Sequence, residues 1–264
     1  MNNSHKKLPV LGTQLSLGSY DDMVAAISTA SRTRESGSAY TCCVNVHMII
    51  EAYQDRSFQR VVNNADFGTV DGNPLTTALS LFHNVDQPRV AGMDLLPSIL
   101  KYGEEQGLRI FFLGDTDEVL GKLETQIKKE FPRLSLAGFY SPPFRPLSEE
   151  EDQDLIDRIN QAQTDVLFVA LGCPKQEKWM ADHHGKVKAS MVGVGNAFRA
   201  YLGLEKRAPE WMRSLSLEWL FRFAQNPKRL WKRYMVTNSV FLWLVAKTWL
   251  GQKLSPSKKV VSAS

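Results

Sequence analysis

Asp71 is the residue of this sequence whose type and neighbours best suit proton transfer. It lies in the segment NADFGTVDGNPL, residues 64–75, where a short apolar run ends at Asp71 and a Gly-Asn-Pro turn follows. A carboxylate at the tip of a strand, beside a turn, can accept a proton from an incoming hydroxyl group. The same pattern is typical of an aspartate that only begins an Asx turn, and the residues alone leave both interpretations open. Asp66, in the same segment, is predicted to be structural.

A second candidate site is the segment LGCPKQEKWM, residues 171–180, which has the pattern of a strand, a turn and a helix start. Free backbone N–H groups at a helix N-terminus attract anions, and Lys175 adds a positive charge where a diphosphate could bind. Gly172 and Gln176 lie in the same turn. Glu177 either belongs to this site or is only a favourable acidic residue in the first helical turn.

The run GVGNAF, residues 193–198, partly matches the glycine fingerprint of dinucleotide-binding proteins. Phe198 occupies the position of the third glycine, and the acidic residues nearest to the expected position about twenty residues later, Glu210 and Glu218, belong to the basic C-terminal region. These departures disfavour a nucleotide-dependent oxidoreductase. Gly195 is instead expected to form a tight turn near a ligand.

Two DxD patterns, at residues 115–117 and 152–154, could suggest a divalent metal site. Each lies where a helix is expected to begin, and Asp115 with Glu118 has the spacing of a capping box. No metal and no cofactor is therefore predicted. The histidine pair at 183–184 is expected on the surface, and the three cysteines have neither disulfide nor zinc-ligand spacing.

The elements that must position these residues alternate between short β-rich runs and helical patterns, as in an α/β fold with a doubly wound, mostly parallel sheet. Strands are predicted at residues 40–45, 67–70, 109–113, 135–139, 166–171 and 191–194. Helices are predicted between them, among others at residues 46–53, 116–131, 149–162 and 174–182. Carboxyl ends of parallel strands form the ligand-binding edge of such sheets. The residues that follow these strands are Asn45, Asp71, Gly114, Tyr140, Gly172 to Glu177, and Gly195.

The C-terminal region has a different composition. Residues 205–264 carry 12 Lys/Arg against 3 Asp/Glu, a net charge of +9, which leaves −5 for residues 1–204. Five of the six tryptophans lie in this basic stretch. The sequence predicts an α/β core at 1–204, a helical, membrane-associating appendage at 205–250 and a disordered tail at 251–264.

Within the appendage, helices are predicted at 211–223 and from Pro227 onward, and the arginines at 222, 229 and 233 have spacings that suit one helix face. Residues 240–250 are apolar and aromatic but too short to span a bilayer, so an interfacial helix is expected. The first twenty residues lack the apolar stretch of a secretory signal, which favours the cytoplasm. On its own, the basic tail also fits a non-catalytic module that binds a membrane surface or nucleic acid.

Taken together, the motifs resemble the WecG/TagA/CpsF family of bacterial glycosyltransferases (glycosyltransferase family 26). The resemblance covers most of residues 10–240. The matching segments, in the family's order, are VNVHMI, NADFGTVDGNPL, RVAGMDLL, FFLG, GFYSPPF, LGCPKQEKWM, GVGNAF, KRAPEWM and LEWLFRFAQNPKRLWKRY.

This resemblance implies an inverting, metal-independent transferase in cell-envelope or exopolysaccharide synthesis. Its expected partners are a UDP-sugar donor, a polyprenyl-diphosphate-linked sugar acceptor and the anionic inner face of the cell membrane, with no nucleic acid and with a homo-oligomer as an open alternative. Asp71 matches the family's proposed general base. The matching substrate-binding positions are Asn45, Arg89, Asp94 and Gln176, and the tail cations expected to bind the diphosphate are Arg222, Arg229, Lys232 and Arg233.

Two positions depart from the family pattern. Arg199 follows the phenylalanine of GVGNAF where the family usually has an aspartate, and Cys43 stands where a threonine is common. The departure at Arg199 affects an expected contact with the nucleotide or the sugar, so the identity of the donor sugar stays open.

Overall fold

Six parallel strands form the central sheet of the computed structural model: β3 (Ala39–Val44), β4 (Phe67–Val70), β5 (Arg109–Gly114), β6 (Ser135–Tyr140), β7 (Val166–Ala170) and β8 (Ser190–Gly193). Their order across the sheet is β4-β3-β8-β7-β5-β6. The structure describes residues 6–33 and 37–205, positions 209, 212, 220, 221 and 223, and residues 227–254, with side chains in the last range from residue 237 onward. All six predicted strands are confirmed, with bounds within a residue of those expected.

A short antiparallel hairpin, β1 (Lys7–Val10) and β2 (Thr13–Ser16), precedes the sheet and was not predicted from the sequence. It lies against the edge strand β4, where the N–H of Gly68 donates to the hydroxyl of Ser16 at 3.0 Å. A Cβ at residue 68 would lie 2.6 Å from the carbonyl oxygen of Gln14, so only glycine allows this close approach. The hairpin thus covers an edge that would otherwise be exposed.

Helices cover both faces of the sheet. They are α1 (Tyr20–Thr33), α2 (Val46–Gln54), α3 (Arg56–Asn64), α4 (Asn73–His83), α5 (Gly92–Gln106), α6 (Asp117–Glu130), α7 (Glu149–Gln161), α8 (Lys175–Asp182), α9 (Ala197–Tyr201) and α10 (Pro227–Leu254). One hydrophobic cluster joins the sheet to α2, α3, α4, α7, α8 and α10, and the other joins it to α1, α5, α6 and α9. Successive residues of β7 alternate between the two clusters, as the pleat requires. The doubly wound α/β prediction is confirmed.

The last helix, α10, is longer than predicted and begins at Pro227 as expected. The stretch at 240–250 is part of this one helix, which continues to Leu254 and so enters the range predicted to be disordered. Phe241, Leu244 and Val245 are buried against the core, where α10 contacts α2. Most of the helix predicted at 211–223 lies outside the described residues. Within the part of the chain that the structure describes, no helix is both long and apolar enough to cross a bilayer.

Candidate active site

Asn45 and Asp71 lie side by side at the carboxyl edge of the sheet. They follow Val44 of β3 and Val70 of β4, which are direct partners in the parallel pairing. The backbone N–H of Asp71 donates to the carbonyl oxygen of Val44 at 2.8 Å, which continues the ladder by one residue. The two polar side chains predicted from separate segments are therefore brought to one place.

Each of these two residues is held by a helix start. Asn45 is the N-cap of α2, and its side chain accepts a hydrogen bond from the N–H of Met48 at 3.1 Å. Gly72, with φ of 135°, is the N-cap of α4, so Asp71 does not cap that helix. Burial raises the pKa of the Cys43 thiol, and the negative charge of Asp71 raises it further, which reflects how close the carboxylate lies to β3. Asp71 is only half-buried and remains accessible to a substrate.

Arg89 and Asp94 form an ion pair next to this position. The N–H of Val90 donates to the carbonyl oxygen of Val70 at 2.8 Å, which fixes the segment beside the end of β4. Asp94 lies in the first turn of α5, and both side chains of the pair are about a quarter exposed. The pair therefore belongs to the same edge of the sheet as Asp71.

Gln176 connects the turns that follow β7 and β8. Its Oε1 accepts hydrogen bonds from the N–H groups of Gly172 at 3.2 Å and Gly195 at 3.1 Å, and both glycines have positive φ. Its Nε2 donates to Oε1 of Glu177 at 2.7 Å. Gln176 and Glu177 are buried, whereas Lys175 is exposed at the first position of α8.

Glu177 is enclosed completely, so in this conformation it can influence a ligand only through its neighbours. Burial raises the pKa of its carboxyl group, an effect that the hydrogen bond from Gln176 opposes. The alternative that Glu177 only favours the first helical turn does not explain its burial against Gln176.

Gly114 is the last residue of β5, and Asp115 follows it. A Cβ at residue 114 would lie 2.5 Å from the carbonyl oxygen of Ala170, so the position requires glycine. Asp115 has φ of 59° and is bound by both Nε and Nη2 of Arg199, at 2.8 and 2.7 Å. The predicted capping box of Asp115 is wrong, because Thr116 is the N-cap of α6 and accepts from the N–H of Val119. The carboxylate of Asp115 instead accepts hydrogen bonds from Arg199.

The second DxD pattern also has a structural partner. Asp152 Oδ2 lies 2.8 Å from Nε2 of His183, whose ring stacks on Trp179. His183 is only 5% exposed, so the expectation that it lies on the surface is wrong. Nowhere in the described part of the chain do three or more His, Cys, Asp or Glu side chains gather in a group that could hold a metal ion.

Tyr140, the last residue of β6, is half-buried, and the guanidinium group of Arg158 lies 5.8 Å from its ring centre. The next residue, Ser141, donates its hydroxyl to the carbonyl oxygen of Asp115 at 2.8 Å. Tyr140 is therefore at the far end of the same edge, two strands from the turn of Gly172.

Comparison with known proteins identifies the family of this chain. Residues 8–255 match the model of the glycosyl transferase WecG/TagA/CpsF family. The chain belongs to the WecG/TagA/CpsF family. It is an enzyme, a glycosyltransferase, and the sequence resemblance is confirmed.

Two curated relatives align with this chain over most of their length. One, from Bacillus subtilis (strain 168), is 34% identical over 194 residues, or 73% of each chain. The other, from Staphylococcus aureus (strain MW2), is 26% identical over 245 residues, which is 91% of this chain and 92% of the relative. Both carry the name N-acetylglucosaminyldiphosphoundecaprenol N-acetyl-beta-D-mannosaminyltransferase.

Of the four C-terminal cations predicted for this WecG/TagA/CpsF member, the structure describes the backbone of three. Arg229, Lys232 and Arg233 lie in the first half of α10, where Arg229 and Arg233 are one helical turn apart, but their side chains are outside the described residues. Arg222 also lies outside the described residues. Their predicted role in diphosphate binding therefore stays a prediction.

The structure also reveals site features that sequence reasoning missed. The start of α5 approaches β3 and β8 so closely that a Cβ on Gly92 would lie 3.3 Å from both the Cys43 sulfur and the Cα of Val194. The sequence pattern predicts only a helix start at Asp115, although an aspartate directly after a predicted strand is also a signal for a site residue. Its partner is 84 residues away and could not be found from local patterns.

Proposed function

We propose that this glycosyltransferase moves a sugar from a UDP-sugar, of ManNAc, ManNAcA or hexose type, to a polyprenyl-diphosphate-linked sugar, with inversion and without a metal. The observation that carries the proposal is the juxtaposition of Asn45 and Asp71 at the ends of paired strands. The names of the curated relatives, which specify a sugar on diphosphoundecaprenol, support the lipid-linked acceptor.

In the proposed reaction, Asp71 acts as the general base. Its carboxylate accepts the proton of the acceptor hydroxyl as that oxygen attacks the anomeric carbon of the donor. Attack from the face opposite the departing nucleotide gives inversion of configuration. Asn45, fixed by its hydrogen bond to α2, and the Arg89–Asp94 pair then bind the sugar groups beside the base.

The leaving nucleotide requires stabilisation of the negative charge that develops on its β-phosphate. We assign this to positive groups rather than to a metal: the start of α8 with the exposed Lys175, and the tail cations Arg222, Arg229, Lys232 and Arg233. The glycine turns at 114, 172 and 195, the Gln176–Glu177 pair that supports two of them, and Tyr140 would form the rest of the donor site.

Membrane attachment is the second part of the proposal, since a polyprenyl acceptor stays in the bilayer. The outward side of α10 exposes Leu242, Trp243, Leu250 and Leu254, while Lys247 and Lys253 lie over the rings of Trp243 and Trp249. A helix surface with apolar, aromatic and cationic groups suits an anionic interface. Phe144, 99% exposed in the loop after β6, adds an apolar group at the carboxyl edge of the sheet. We place the enzyme on the cytoplasmic face of the membrane.

The test is a UDP-release assay with a set of UDP-sugars and a polyprenyl-diphosphate-linked N-acetylglucosamine. Asp71→Asn should lower kcat by roughly 10²- to 10⁴-fold and leave UDP binding nearly intact, because it removes the base but keeps its size. Asp66→Asn is the matched control. Asp66 directly precedes β4, at the end of the strand opposite to Asp71, and its carboxylate accepts a hydrogen bond from the N–H of Tyr40 in β3. The substitution should therefore affect stability and not turnover. Wild-type turnover in Asp71→Asn would refute the role of Asp71.

The same assay distinguishes the alternative of a non-catalytic binding module. That alternative predicts liposome or nucleic-acid binding without UDP release, and binding that is insensitive to Asp71→Asn. Sugar transfer that requires Asp71 excludes it.

A further inference from the structure

Asp115 is held in an unusual backbone conformation by contacts from three directions. Its φ of 59° lies in the left-handed region, which is uncommon for residues other than glycine. Its carboxylate receives two hydrogen bonds from Arg199 and one from the N–H of Thr116, at 2.8 Å. Its carbonyl oxygen accepts the hydroxyl of Ser141. One residue therefore joins the segments that follow β5, β6 and β8.

Arg199 supplies the contact that crosses between strands. A guanidinium group bound through two nitrogens to one carboxylate fixes both distance and orientation, which a lysine could not do. An aspartate at position 199 would instead repel Asp115. The ion pair with Asp115 therefore requires arginine at position 199 in this chain.

The Asp115–Arg199 ion pair lies at the same edge of the sheet as the proposed donor site. Asn45 follows β3 and Asp115 follows β5, and these two strands are separated by β8 and β7. Three strand spacings correspond to about 14 Å along the edge. An extended nucleoside diphosphate sugar with its reactive carbon near Asn45 and Asp71 covers such a span, so its nucleoside half would reach the ends of β7 and β5.

We propose that the Asp115–Arg199 ion pair is a positioning element for the donor: it holds the turns after β5, β6 and β8 in the arrangement that binds the nucleotide half of the UDP-sugar. This inference rests on the proposed function for the identity of the donor. The carboxylate of Asp115 lies three strands from Asn45 along the edge, so the pair acts on the KM of the donor and on UDP affinity, and not on the chemical step.

The chain offers a matched control in Arg145. This arginine also binds a carboxylate through two nitrogens, to Glu151 at 2.6 and 2.7 Å. Arg145, however, lies in the connection between β6 and α7, and Glu151 lies in the first turn of α7, so this pair does not join segments that follow different strands. If the Asp115–Arg199 pair were only an exposed structural contact, Arg199→Gln and Arg145→Gln should have the same small effect on the donor KM and on the Kd of UDP.

The experiment compares the purified full-length protein with Arg199→Lys, Arg199→Gln, Arg199→Asp, Asp115→Asn, the double variant Asp115→Asn/Arg199→Gln, and Arg145→Gln. Donor KM, kcat and the Kd of UDP by calorimetry are measured for each. Arg199→Gln should raise the donor KM and the Kd of UDP roughly tenfold, with kcat within about twofold of the wild-type value. Arg199→Lys should raise KM and Kd by less than this, and Arg199→Asp by more. Arg145→Gln should match wild type. In the double variant, the second substitution should add little to the first.

A second measurement does not depend on the donor. Amide hydrogen exchange at residues 115–117, 141–144 and 195–199 should be faster in Arg199→Gln and unchanged in Arg145→Gln. Unchanged exchange, additive effects in the double variant, or a loss of kcat with unchanged KM would each overturn the inference. If wild type neither binds UDP nor releases it, the proposed function is wrong, whereas the exchange result still decides whether the pair positions these turns.

Discussion

The side-chain amide of Gln176 donates to the carboxylate of the fully buried Glu177, and this hydrogen bond fixes the direction in which the amide points. With Nε2 toward Glu177, Oε1 faces the N–H groups of Gly172 and Gly195. Two turns from neighbouring strands thus share one acceptor. Glu177 supports the geometry of the candidate donor site without reaching its surface.

The burial of Glu177 predicts a pH-dependent stability. Because burial raises the pKa of this carboxyl group, its contribution to stability is fully present below the ordinary value of 4.5 and is lost as the pH rises through the higher native value. Glu177→Gln cannot ionise. The unfolding free energy of wild type relative to Glu177→Gln should therefore decrease from pH 4.5 to pH 8, as measured by urea denaturation. A difference that is the same at both pH values would show that Glu177 is not held in this way.

Two substitutions of Asn45 should separate its structural role from its role in the site. Asn45→Ala removes the N-cap of α2 and should cost about 1 kcal/mol of unfolding free energy. Asn45→Asp keeps a capping side chain, so its melting temperature should stay near that of wild type. It also places a second carboxylate beside Asp71, which disfavours the ionised base, and kcat should fall at least roughly tenfold. Normal turnover in Asn45→Asp would argue that Asn45 is only a helix cap.

The two sides of α10 should respond differently to truncation of an aromatic residue. Phe241 is 2% exposed, and Phe241→Ala should lower the unfolding free energy by about 3 kcal/mol, as for other buried phenylalanines. Trp243 is 60% exposed, and Trp243→Ala should change stability by no more than about 0.5 kcal/mol while weakening binding to anionic liposomes. Chemical denaturation and liposome co-sedimentation test the pair. Unchanged liposome binding in Trp243→Ala would remove this helix face from the membrane contact.

Metal independence is the remaining prediction. The first aspartate of each DxD pattern has a protein partner, Arg199 for Asp115 and His183 for Asp152. We therefore expect sugar transfer to persist in EDTA at a rate within about twofold of the untreated enzyme, since cations of the protein would neutralise the diphosphate. Activity that disappears with chelator and returns with Mn²⁺ or Mg²⁺ would contradict this.

Much of the architecture was predictable from the sequence because its signals are local. Short apolar runs predict the strands, and the rule that the carboxyl ends of parallel strands share one edge predicts that Asn45, Asp71 and Gly195 lie together. The hairpin β1–β2 was missed because two four-residue strands carry little periodicity, and only their packing on β4 selects the extended conformation.

What the sequence alone determined, then, is the α/β class, the strand order along the chain and the types of polar residue at the strand ends. Tertiary structure decided which of these residues are partners. Asp115 and Thr116 are both common N-cap residues by type, but Thr116 caps α6 and Asp115 binds the distant Arg199. His183 is buried in contact with Asp152 and Trp179. Such choices depend on contacts between residues far apart in the chain, and local propensities carry no information about those contacts.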